Sequence, residues 1–202
     1  ADWRAKSGSD ADGASAKVIL AFLSGWTAIG QGKAADAKAL LGEIELLLPR
    51  FSPEDAIQIT FLYRLLRAEI ALAEGDLDRA VALGREIVLP SFPFMNTQAL
   101  AIYNLPFLKD VLARVYWKKG ALDAAAAEYR KLMTIDPANQ VRMMIHPLYH
   151  YRLGCVLEEK GDKPGAAVEY RKFLEYWKDA DKTHPELADA RKRLDALAAI
   201  PR

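Results

Sequence analysis

The chain has 202 residues, 51% of them apolar and 27% charged, and a net charge of +1. That balance suits an ordinary globular protein and excludes a bulk electrostatic case for nucleic acid or for an anionic membrane surface. Cys155 is the single cysteine, which excludes an internal disulfide and a cysteine-built metal site.

The chain opens on Ala1 with the polar stretch ADWRAKSGSDADGAS. This reads as a processed product or a fragment of a longer protein, with residues 1–14 expected to be flexible. The compartment stays open, with the cytoplasm favoured. From Ser15 apolar residues recur at three- and four-residue steps, the helical period. Val18, Phe22, Leu23, Trp26 and Ile29 form the first stripe. Ala37, Leu40, Leu41, Ile44, Leu47 and Leu48 form the second, stopped by Pro49. Ser52-Pro53-Glu54-Asp55 then supplies a capping serine, a first-turn proline and acids at the positive helix end. The helix it starts runs through Ile57, Phe61, Leu65, Ala68 and Leu72, and the next carries Ala80, Leu83 and Ile87.

Residues 89–96 break the pattern and are expected as the longest loop. Helix resumes near Thr97 and reaches Lys119, with a kink or short break at Pro106. Further hairpins follow to Lys178, then a linker and a helix opened by Pro185 and Glu186 that reads as the cap of the array. No apolar run approaches the roughly 20 residues needed to span a bilayer, so direct membrane insertion is not expected.

The organising signal is a repeat. Gly32, Gly75, Gly120 and Gly161 lie 43, 45 and 41 residues apart, each followed five residues later by Ala37, Ala80, Ala125 or Ala166. Such a period means stacked helical hairpins. The expected hairpins cover about residues 16–49, 53–89, 97–136 and 147–179, with the cap at 185–198.

Aligned on these glycines, the hairpins resemble the tetratricopeptide repeat. Residues 106–139 carry Ala113, Tyr116, Gly120, Ala125, Tyr129 and Pro137; residues 147–180 carry Leu153, Gly154, Gly161, Ala166, Tyr170 and Phe173. Residues 18–51 match through Gly25, Gly32, Ala37, Leu41 and Pro49, while residues 61–94 have Gly84 where a bulky residue is usual. Residues 99–198 are also similar to the C-terminal repeat region of bacterial multidomain regulators built on kinases or cyclases. The resemblance implies an all-α, right-handed superhelical α-solenoid of four hairpins plus a capping helix, folded as one domain over residues 15–198.

It also implies a non-catalytic interaction module, part of a larger bacterial signalling protein. The partner would be a protein or peptide, another domain of the same polypeptide included. The concave positions of the family map onto Phe22, Trp26, Leu62, Leu65, Glu69, Phe107, Asp110, Arg114, Trp117, Lys118, Tyr151, Arg152, Cys155 and Glu158. Trp26, Glu69, Asp110, Arg114, Trp117, Lys118, Tyr151 and Arg152 are the site candidates, aromatic rings beside arginines being the composition of binding hot spots. Glutamate at both Arg114 and Arg152 is expected to abolish capture while leaving helicity intact. Leu66, Val111 and Phe107 stand where the family's clamp for acidic chaperone tails needs polar residues, which argues against that partner. The alternatives are a homodimer formed through the array ends and the apolar loop Phe92-Pro93-Phe94-Met95, and a small-molecule sensor domain.

Other constellations carry less. His146 and His150 stand four apart, but Pro147 between them suits a helix start and no glutamate completes a zinc motif. Gly30-Gln31-Gly32-Lys33 lacks the strand and the spacing of a phosphate loop and reads as a turn. Cys155 reads as a small buried thiol. Lys178 to Lys182 and Arg191 to Arg193 read as solvated faces. No enzyme activity, cofactor or metal is expected.

Overall fold

A computed structural model describes residues 9–53, 56–88, 108–134, 145–181 and 183–199. Every regular element among them is helical, and the helices pair into the hairpins of an α-solenoid. The chain divides into two compact units, Ala1–Pro90 and Ser91–Arg202.

The first unit holds α1 (Ser9–Gly30), α2 (Ala34–Leu47), α3 (Ala56–Glu74) and α4 (Leu77–Arg85). Helix α1 begins six residues before the expected Ser15, so residues 9–14 of the segment expected to be flexible are helical. It packs on α2 and α3, α2 packs on α3, and α3 packs on α4. Val18, Phe22, Ile44, Leu62, Leu65 and Leu66 are all essentially inaccessible to solvent. Burying each such side chain contributes about 1.5–3 kcal/mol. Gly13–Gly30 has a mean hydropathy of 1.2, enough by length and composition to cross a membrane. One third of that stretch is buried, Val18, Ala21, Phe22 and Ala28 included, while Leu20 and Leu23 stay exposed.

The second unit holds α5 (Val111–Lys118), α6 (Leu122–Leu132), α7 (Leu148–Glu159), α8 (Lys163–Tyr176) and α9 (Pro185–Ala198). Each packs on the next, and α5 and α7 also meet through the side chains described below. Of the helix expected from Thr97 to Lys119, the described residues show Val111–Lys118, with Asp110 at its cap. Residues 97–107, Pro106 included, and the loop Phe92–Met95 lie outside the described residues.

One device closes all four hairpins. Gly32, Gly75, Gly120 and Gly161 have φ between 74° and 90°, the left-handed region that favours glycine. The residue after each glycine donates its amide back to the last turn: Lys33 to Ala28, Asp76 to Ala71, Ala121 to Tyr116 and Asp162 to Leu157, at 2.8–3.0 Å. These are the six-to-one bonds of a glycine-terminated helix, and they settle Gly30–Lys33 as a turn. Ala37, Ala80, Ala125 and Ala166 are each 0% exposed. A methyl group at that point lets the second helix approach the first closely.

Candidate functional site

Trp26 and Glu69 belong to the first unit; the other six candidates belong to the second. Glu69 is buried at 3% exposure and Phe22, Leu62 and Leu65 are core, so these positions offer a partner no surface. Trp26 is half-buried. Phe107 lies outside the described residues.

In the second unit the candidates converge. Asp110, Arg114 and Trp117 follow one face of α5 at steps of four and three, and Tyr151, Arg152, Glu158 and Glu159 follow one face of α7. Asp110, expected in the groove, is fully buried. Arg114 Nε donates to its Oδ1 at 2.8 Å, Arg152 Nη1 donates to its Oδ2, and the Tyr129 hydroxyl lies 3.5 Å from Oδ2. The ion pair to Arg152 joins the third hairpin to the fourth. Both arginines keep about a fifth of their side chains exposed. This overturns the expectation that glutamate at both positions is a clean surface test, because it would set three carboxylates where one is buried. Burial, followed by the Asp110 carboxylate, drives the Tyr129 phenol far above its ordinary pKa, so it stays protonated. Lys109, next to this cluster, is lowered by burial to about 8.

The face continues. Trp117 Nε1 donates to Glu159 Oε2 at 2.6 Å, a second link from α5 to α7. The Tyr151 hydroxyl donates to Asp189 Oδ2 at 2.7 Å on α9. Arg193 donates to Asp189 at 2.5 Å and to Glu158 at 3.0 Å, and Glu158 also accepts from Tyr170 at 2.7 Å. Arg193, expected on a solvated face, is half-buried, whereas its neighbours Arg191 and Lys192 are exposed. The four-residue step from Asp189 to Arg193 was the signal available, since that spacing aligns opposite charges on a helix. Burial alone would raise the Asp189 carboxyl; the Tyr151 and Arg193 hydrogen bonds outweigh it and hold the group below its usual value. Lys118 is exposed at the edge of this face.

Cys155 is buried, and burial pushes its thiol up despite nearby Tyr170, Arg193 and Tyr151, which leaves it a poor nucleophile. His146 and His150 do not converge on one point. His146 Nδ1 accepts from the Leu148 amide at 3.2 Å, while His150 Nδ1 lies 2.6 Å from Glu169 Oε2. Among the described residues no three His, Cys, Asp or Glu side chains could hold a metal ion.

What the face can do is hold rings and charges in fixed positions. Its side chains are restrained by one another, so a partner meets groups already ordered, and less conformational entropy is lost on binding. No curated protein matches the chain. The family model for the tetratricopeptide repeat matches residues 110–139, and this match supports a tetratricopeptide-repeat reading of the hairpin that carries Asp110, Arg114 and Trp117.

Proposed function

We propose that the second unit is a protein-interaction module and that the face formed by α5, α7 and α9 receives a peptide or protein segment. The observation that carries this reading is the cross-linked row of half-exposed rings and charges from Trp117 through Tyr151 to Arg193. Tetratricopeptide repeats generally bind proteins or peptides, which supports a non-catalytic role. The setting within a larger bacterial signalling protein, and a partner domain on the same polypeptide, rest on the resemblance of residues 99–198 alone.

The test is selection of displayed peptides against the whole chain, followed by chemical-shift mapping. Bound peptides should perturb Trp117, Lys118, Tyr151 and Glu159. The Trp117→Ala, Lys118→Glu pair should weaken them roughly 30-fold or more, the scale of a hot-spot ring, with the circular dichroism spectrum unchanged. Selected peptides whose perturbations fall elsewhere, or a variant that binds as tightly as the parent, would overturn the assignment.

A second reading, self-association, is favoured by the open side of α1. At twelve, eight and five residues before the turn glycine, α7 carries Tyr149, Leu153 and Val156, all buried, with Tyr149 stacked 6.3 Å from Tyr129 of α6. The same register on α1 holds Leu20, Ser24 and Thr27, all exposed, and Leu20 is 66% accessible. Beside them Leu23, Ser24, Thr27 and Leu40 line an open cleft of about 390 Å³. Light scattering at micromolar concentration should give twice the 22.4 kDa of the chain, and Leu20→Asp with Leu23→Asp should return it to monomer. A monomeric parent protein excludes this reading.

A further inference from the structure

All three histidines of the chain gather at one end of the fourth hairpin, and one of them sits where three helices are joined. His146 precedes α7, Trp177 ends α8 and His184 precedes α9. The His146 ring meets Trp177 edge-on at 5.7 Å and Tyr149 at 6.2 Å, and the far side of the junction is closed by Trp177 against His184 at 5.0 Å. Through Nδ1, His146 also accepts the Leu148 amide, one of the otherwise unsatisfied donors of the first turn of α7. That bond requires the neutral imidazole with its proton on Nε2, because a protonated ring has no acceptor left.

We propose that His146 is a proton-operated latch, which in its neutral form caps α7 and braces Trp177 and on protonation loosens the start of α7 from the third hairpin and from the cap helix.

Three effects push the same way when the ring gains a proton. The capping bond is lost, a cation is placed at the positive end of α7, and that cation joins Arg152 and Lys109. Two features oppose them. Asp110 faces the same cluster, but its carboxylate is already shared by Arg114 and Arg152. The Trp177 and Tyr149 rings, with centroids 5.7 and 6.2 Å away, also attract a cation. The balance falls to burial, which with Arg152 holds the His146 imidazole below its ordinary value of 6.5, Lys109 adding to the shift and Asp110 opposing it. The other two histidines are set differently. His184 is exposed beside Asp181, and His150 pairs with Glu169, which also holds Lys172.

The sign follows from proton linkage. With its folded value below its unfolded one, His146 binds fewer protons in the folded state. Its contribution to stability is therefore complete above about pH 6.5 and is lost as the pH falls from there through the folded value. The latch thus opens on acidification below about pH 6.5.

The test compares urea unfolding of the whole chain at about pH 7.5 and about pH 5 for the parent and for His146→Asn, in which the amide oxygen can still cap Leu148 but cannot titrate. In the parent the unfolding constant should rise at least threefold more between the two conditions than it does in the variant, a ratio well within one unit of pKa displacement. An equal rise in both proteins overturns the proposal. Should His146→Asn fail to fold, the amide shift of Leu148 in the parent decides alone: a midpoint clearly below 6.5 supports the latch, and a midpoint at or above it removes the latch.

Discussion

Replacing Asp110 by alanine should destabilise the second unit by about 3–5 kcal/mol, the range for removing one member of a buried ion pair. The carboxylate is fully enclosed and serves Arg114, Arg152 and, at longer range, the Tyr129 hydroxyl. Without it, two guanidinium groups stand side by side with no anion between them. Because each arginine is still about a fifth exposed, water relieves part of their repulsion, which favours the lower end of the range. Asp110→Asn preserves the shape and one acceptor but turns an amide toward one guanidinium, so it should fall between alanine and the parent. Urea unfolding followed by circular dichroism checks both. A loss below about 1 kcal/mol, the scale of an exposed ion pair, would mean that the link between the third and fourth hairpins does not depend on the Asp110 carboxylate.

The same cluster explains how far the sequence could be read. The turn glycines and the alanines five residues later announced every hairpin, because each answers a local requirement: a left-handed backbone in one case, a missing side chain in the other. The cap helix was legible for the same reason, since Pro185 and Glu186 state a helix start without help from the rest of the chain. The family's register also brought Asp110, Arg114, Trp117, Tyr151 and Arg152 to one side of two neighbouring helices. What it could not give was their state. A register names the side of a helix and is silent on whether a neighbour covers it. Asp110 is buried because Arg152, forty-two residues away, reaches across to it, and no local pattern carries that information. Arg193 was missed for the converse reason. A basic trio on a terminal helix looks solvated until Glu158 and Asp189 are seen to converge on its middle charge. Glu69 makes the same point in the first unit: a groove position in the register, yet closed off in the fold.

Gly25 and Gly154 occupy one position of the repeat, seven residues before their turn glycines, and alanine should act on them in opposite directions. Alanine is the better helix former by about 1 kcal/mol, so in both cases the outcome depends on what its methyl group meets. At Gly154 an added Cβ would lie 2.5 Å from Tyr170 Cε1 and 2.7 Å from Cδ1, inside contact distance. Tyr170 has no room to retreat: it is 0% exposed, its hydroxyl is held by Glu158, and Tyr151 stacks beside it at 6.2 Å. Either the ring shifts and breaks the bond to Glu158, or α7 and α8 separate. Overpacking of this kind costs about 1–3 kcal/mol and here should exceed the propensity gain, leaving Gly154→Ala less stable by about 1–2 kcal/mol. At Gly25 the nearest atoms are Leu66 Cδ2 at 3.0 Å and Cδ1 at 3.3 Å. These are the far ends of a side chain that can yield by a few tenths of an ångström through small torsional changes, so Gly25→Ala should be neutral or slightly stabilising. Paired urea melts of the two variants decide the matter. Equal losses at both positions would show that backbone flexibility, rather than the hardness of the neighbour across the hairpin, governs this position of the repeat.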